Sequence, residues 1–137
     1  MRLKTTFCLT VCAFNYFCFA QKSTNCQLLE ALLKYDEARK VFLFDKHKEV
    51  PITFVDVNLF FKDCGFSKYY DRKIEVVNDS SYLDVASYSN IEITTLLETS
   101  KGFRMSLFYK LTNAFFTYDF RRKNNKIIVK KLRGGYF

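Results

Sequence analysis

The last 48 residues, 90–137, constrain the fold more than any other part of the chain. Apolar and polar side chains alternate through four segments, which is typical of β-strands with one buried face. Three turn signals separate these segments: Ser100-Lys101-Gly102, Thr112-Asn113 and Asn124-Asn125. The pattern therefore predicts an antiparallel four-stranded meander with one aromatic-rich inner face.

Cross-strand arithmetic predicts a register for each hairpin, because opposite charges should meet on one face and apolar groups on the other. In the first hairpin the expected pairs are Thr99–Phe103, Glu98–Arg104, Glu92–Lys110, Leu97–Met105 and Ile93–Tyr109. In the second and third hairpins they are Tyr109–Phe116, Leu107–Tyr118, Met105–Phe120, Phe120–Val129 and Asp119–Lys130.

A helix is predicted over residues 25–38. Thr24 and Gln27 match a capping box at its start. Four leucines then recur at helical spacing and form one apolar stripe: Leu28, Leu29, Leu32 and Leu33. An antiparallel sheet with one apolar face needs a cover, and this stripe can provide it. The predicted fold is α+β, with an N-terminal helix packed on a curved antiparallel sheet that ends in the four-stranded meander.

The middle of the chain favours strands at residues 41–44, 52–57 and 73–77, where β-branched and aromatic residues concentrate. Pro51 precedes the second of these segments, a position that proline tolerates at the start of a strand. Residues 59–65 suggest a helical turn that ends at Gly65.

The N-terminus is typical of a secretory signal peptide. Arg2 and Lys4 precede an apolar run over residues 5–19, and Ala20 ends a small-residue cleavage motif. We predict a signal peptide at 1–20 and one α+β domain at 21–137, exported to a periplasm or secreted. A retained anchor and lipidation are the alternatives. No other apolar stretch is long enough to span a bilayer.

Two cysteines, Cys26 and Cys64, remain after signal removal. An even number in an oxidising compartment favours a disulfide. It would close a loop of 38 residues, which the chain-entropy model values at about 4 kcal/mol. The alternative is a pair of buried free thiols. The spacing fits neither a CxxC redox motif nor a zinc site.

Signals for catalysis are weak. His47 is the one histidine, and it lies in a charged turn where a solvated side chain is the simplest interpretation. Acidic pairs such as Asp56 and Asp63 arise by chance among 14 acids. Neither a glycine-rich phosphate loop nor a metal-ligand cluster is present in the sequence. We expect no metal and no cofactor, and the sequence points away from an enzyme.

The chain is basic, with a formal net charge of +8, and the excess is concentrated in residues 121–137. Candidate anion-binding residues there are Arg121, Arg122, Lys123, Lys126, Lys131 and Arg133. They predict either binding to an anionic envelope or cell-surface polymer, or a solvated hairpin whose lysines discourage edge-to-edge association. The register favours the solvated hairpin, because Asp119 faces Lys130. Export argues against nucleic acid as a partner.

Aromatic residues are abundant, at 18% of the chain, and we expect them to fill the space between helix and sheet. A curved sheet capped by a helix can instead enclose a cavity. In this layout the chain resembles nuclear-transport-factor-2-like cone folds, which implies a small apolar ligand or a hydrolytic activity. The function predicted first is an exported, small, non-enzymatic protein with a binding or interaction role.

Overall fold

The computed structural model describes residues 24–66, 68–84 and 89–136, and the predicted signal peptide at 1–20 lies outside them. Within these ranges the chain forms a mixed α+β domain with few helices and one six-stranded sheet. No helix in the described ranges combines the length and the apolar character that a bilayer span requires.

The helical start of the chain is divided in two. Helix α1 covers residues 24–34, Tyr35 adopts an extended conformation, and helix α2 follows at Asp36–Val41. The predicted single helix over 25–38 is therefore interrupted. Helix α2 has acidic residues in its first turn and basic residues in its last, which complements the helix dipole.

Six strands follow, with two short 3₁₀ turns at Ser80–Asp84 and Lys110–Thr112. They are β1 Ile52–Val55, β2 Ile74–Val77, β3 Asn90–Thr99, β4 Gly102–Tyr109, β5 Ala114–Lys123 and β6 Lys126–Tyr136. Their order in the sheet is β2-β1-β3-β4-β5-β6. Strands β3 to β6 form the predicted antiparallel meander.

The prediction of an antiparallel sheet is wrong for the other half, because β1 runs parallel to both β2 and β3. All four residues of β1 are buried, which is typical of a strand covered on both faces. The strand predicted over residues 41–44 is also absent. Its residues instead end α2 and form a turn in which Leu43 has a φ of 56° and Phe42 and Phe44 are buried.

The predicted register of the first hairpin is wrong by one residue at its turn. Thr99 pairs with Gly102 rather than with Phe103, so Glu98 does not face Arg104. Gly102 has a φ of 149°, and a Cβ there would collide with the carbonyl oxygen of Phe120. Because Gly102 opens β4 beside β5, the loop shortens to two residues, and an irregularity between Ile93 and Thr95 then shifts the register again.

The second hairpin differs from its prediction by two residues, since Leu107 faces Phe116 instead of Tyr118. The 3₁₀ turn and Asn113, which has a φ of 50°, lengthen the connection. A shift of two keeps every side chain on its predicted face, because side chains alternate with a period of two.

The third hairpin has the predicted register. Phe120 faces Val129 and Asp119 faces Lys130. Asn124 and Asn125 both have positive φ, at 51° and 57°. Two central residues with positive φ form a type I′ turn, and the twist of this turn matches that of the two strands it connects.

The core lies between the leucine stripe and the inner face of the meander. The stripe belongs to the same buried cluster as the inner-face residues Met105, Leu107, Tyr109, Phe116, Tyr118 and Phe120. The Phe42 ring packs edge-on against Tyr109 and Phe116, with ring centroids 5.4 and 5.2 Å apart. These contacts place the predicted aromatic face in the interior.

Cys26 and Cys64 lie at disulfide-bonding distance, as predicted, with their Cα atoms 5.5 Å apart. The pair joins α1 to the turns that follow β1. Asn25 reinforces the same junction, since its side-chain amide donates to the carbonyl oxygen of Phe60 at 3.0 Å.

Candidate anion-binding surface

The six basic candidates of the C-terminal hairpin do not form one patch. Arg122 and Lys131 lie on the face of the sheet that carries the core. There Arg122 donates to the Gln27 side-chain oxygen at 2.8 Å, and the Lys131 ammonium lies 5.3 Å from the centre of the Phe116 ring. Both cations therefore have partners within the fold.

A second set of cations lies towards the outer face of the hairpin, and Arg122 contributes to it from the edge. An open groove of about 540 Å³ is lined by Lys101, Asp119, Arg121, Arg122, Lys123, Ile128 and Lys130. We call this set the basic groove. It joins three of the predicted residues to Lys101 and Lys130, whereas Lys126 lines another groove beside α1.

Lys101 was missed because it lies 20 positions before Arg121, in a different turn. The tight fit of Gly102 against the backbone of β5 brings them together. The sequence did contain a signal for this contact, because a glycine lacks a side chain and lets a neighbouring backbone approach closely. Use of this signal requires the registers of the first two hairpins, and the predicted registers differ from the observed ones by one and by two residues.

Asp119 is the one acidic residue of the basic groove, and it is bound by Arg104. The Nε and Nη2 atoms of Arg104 donate to its two carboxylate oxygens at 2.8 and 3.3 Å. This hydrogen bonding is the main reason that the pKa of Asp119 is lowered. The expected pairing of Arg104 with a glutamate is therefore wrong, and Arg121 lies 3.9 Å from Asp119.

The consequence is an excess of positive charge in the basic groove. Five cations surround a carboxylate that is already paired with a sixth, Arg104. Within the described ranges, Lys101, Lys123 and Lys130 form no ion pair with a carboxylate. An anionic ligand could therefore bind these lysines without first breaking an ion pair.

The groove beside α1 has a more balanced charge. It also measures about 540 Å³ and includes Glu30, Lys34, Tyr35, Arg122 and Lys126. Glu30 accepts hydrogen bonds from Lys34 at 2.8 Å and from Tyr69 at 2.7 Å. These bonds, led by that from Lys34, lower the pKa of Glu30. Its carboxylate makes this groove less suited to an anion.

The residues considered for catalysis have structural surroundings. His47 lies in its turn with Nδ1 3.6 Å from a carboxylate oxygen of Glu49. Asp56 is buried, and its two oxygens accept from the backbone N–H groups of Phe60 and Phe61 at 3.1 and 2.7 Å. A carboxylate held in this way caps a turn.

A scan of protein-family models, a search of curated proteins and a search of solved structures each find no match to this chain.

Proposed function

We propose that this chain is an exported, non-enzymatic binding protein whose basic groove binds an anionic polymer of the cell envelope or cell surface. The observation that carries the proposal is the pairing of Asp119 with Arg104, since it leaves the groove with a large excess of positive charge. The sequence favoured a solvated hairpin because Asp119 faced Lys130. That argument weakens once Arg104 holds the carboxylate.

The distribution of side chains between the two faces also supports binding at an outer surface. The inner face is filled by the leucine stripe and by aromatic side chains that are 0–4% exposed. In this proposal the antiparallel part of the sheet curves over the stripe, and its outer face remains open to a ligand. Among the residues that the structure describes, this packing gives no support to the alternative of a small apolar ligand held in a cone.

Export is part of the proposal. The bonding distance between Cys26 and Cys64 supports it, because disulfides persist in oxidising compartments. Exported material should begin at Gln21 when its N-terminus is sequenced or its intact mass is measured. Recovery of the full-length chain from the membrane fraction would contradict cleavage after Ala20.

Binding can be tested by retention on an anionic polysaccharide at low salt. The variant Lys123→Gln/Lys130→Gln should bind roughly 5- to 10-fold more weakly than the wild type, if each charge contributes about 0.5–0.7 kcal/mol. Its affinity should also depend less steeply on salt. Lys62→Gln/Lys68→Gln is the matched control, because it removes two exposed lysines outside the basic groove. Equal retention of all three proteins would refute a site in the groove.

A further inference from the structure

The outer face of β4 and β5 carries an ordered row of side chains that leads into the basic groove. The residues opposite each other are Phe108–Phe115, Ser106–Thr117 and Arg104–Asp119. Within these pairs the rings lie 4.7 Å apart, the hydroxyl oxygens 3.2 Å apart and the nearest charged atoms 2.8 Å apart. The row thus passes from aromatic to hydroxyl to charged groups.

Strand β6 lies beside β5 and extends this face of the sheet. Gly135 lies opposite Phe115, so β6 carries no side chain at that position. Phe115 is 40% exposed although it packs on Phe108. Arg133, which lies opposite Thr117, is exposed too.

The length of the row limits what can occupy it. Phe115 and Arg121 lie six residues apart on β5, which corresponds to about 20 Å along a strand. A single phosphate or monosaccharide cannot reach from the ring to the cations. An extended chain with apolar ring faces and repeated negative charges can.

We propose that this face is a track for an extended acidic oligosaccharide, an inference that rests on the proposed function. A sugar ring packs its C–H groups on Phe115, since these groups carry partial positive charge and the face of an aromatic ring is negative. Sugar hydroxyls form hydrogen bonds with Ser106 and Thr117, because each of these side-chain hydroxyls can both donate and accept. The anionic groups of the chain reach Arg121 and Lys130.

The hydroxyl pair and the carboxylate favour a sugar over a single-stranded nucleic acid. A base would also stack on Phe115. However, the phosphates of its backbone would have to pass Asp119, whereas a sugar hydroxyl donates to that carboxylate. Asp119 can accept such a bond while it is bound to Arg104, because an ionised carboxylate has about four acceptor sites.

The test measures the affinities of a heparin disaccharide, a heparin octasaccharide, inorganic polyphosphate and an oligothymidylate of matched charge. The octasaccharide should bind at least tenfold more tightly than the disaccharide. Phe115→Ala should weaken octasaccharide binding about 5- to 30-fold, the size of a lost stacking contact, and change polyphosphate binding less than twofold. Arg121→Gln/Lys130→Gln should weaken both.

Leu59→Ala is the control for the aromatic variant, because Leu59 is 46% exposed and lies outside the track. Phe115→Leu keeps the bulk of the side chain while it removes the ring, and it should reproduce the loss if Phe115→Ala does not fold. Thermal unfolding of each variant checks that it is folded.

The outcomes separate the two proposals. If Phe115→Ala and Phe115→Leu bind the octasaccharide like the wild type while the cation variant does not, the track is refuted and the basic groove stands. If the wild type binds neither the octasaccharide nor polyphosphate, both proposals fail. Tighter, Phe115-dependent binding of the oligothymidylate would overturn the sugar assignment in favour of a single-stranded nucleic acid.

Discussion

Arg72 holds together a segment that has little regular structure. It is 1% exposed, and its guanidinium donates to the carbonyl oxygens of Leu43, Val50 and Pro51 at 2.9–3.0 Å. Burial lowers its pKa, but an arginine in a protein keeps its proton. The fork of N–H groups thus satisfies one carbonyl of the segment that was predicted as a strand, that of Leu43, and two just before β1, those of Val50 and Pro51.

Arg72→Met should destabilise the fold by about 2–5 kcal/mol, because it leaves several buried carbonyl oxygens without donors. Arg72→Lys should lie between wild type and Arg72→Met, since an ammonium cannot reproduce the planar fork. Urea unfolding measures the change. Lys73→Met is the control, because Lys73 is exposed, and its midpoint should stay close to that of the wild type. Equal midpoints for all four proteins would show that Arg72 is not structural.

Strand β5 separates the structural role of the sheet from its proposed binding role. Phe120 is 1% exposed on the inner face, and Phe115 is 40% exposed on the outer face. The two rings differ in surroundings although one strand carries both. The inner ring should therefore determine stability, and the outer ring binding.

Phe120→Ala should cost about 3–5 kcal/mol of unfolding free energy, as truncation of a core aromatic does. Phe115→Ala should cost clearly less, because much of its ring is already in water. Removing the charges of Lys123 and Lys126 together should change stability by less than about 1 kcal/mol. Denaturant unfolding of the three variants checks this order, and a Phe115→Ala cost as large as that of Phe120→Ala would contradict the assignment of faces.

At the scale of the whole molecule, the Cys26–Cys64 pair joins the first helix to the chain that follows the most buried strand. Burial of the leucine stripe holds α1 on the sheet. The disulfide link instead reduces the number of conformations that the unfolded chain can adopt. The two effects act on different states, one on the folded protein and the other on the unfolded ensemble.

Replacing both cysteines by alanine should lower stability by up to about 4 kcal/mol, the entropy of the closed loop. The measurement is thermal unfolding of the variant beside oxidised and reduced wild type. Reduced wild type should unfold near the variant. Two alkylatable thiols in the oxidised protein would show instead that the bridge does not form.

The sequence by itself determined the features that depend on near neighbours. The strand period placed Phe116, Tyr118 and Phe120 on one face, and all three are buried. Two asparagines set the register of the last hairpin, because a two-residue turn leaves the flanking strands no freedom. With the predicted signal peptide removed, the chain has two cysteines and allows a single intramolecular pair, so the disulfide could be predicted as well.

Only the tertiary structure decided the features that join distant segments. Long connections link β1, β2 and β3, so no turn sets their direction, and burial in the sheet decides that they run parallel. Arg72 stands in a charged run that predicts exposure, and it is buried because distant carbonyls need its donors. Lys101 and Arg121 line one groove, and Arg104 binds Asp119, because the registers of the first two hairpins differ from the predicted ones by one and by two residues. Cross-strand contacts change with each such shift, whereas the period of a strand does not.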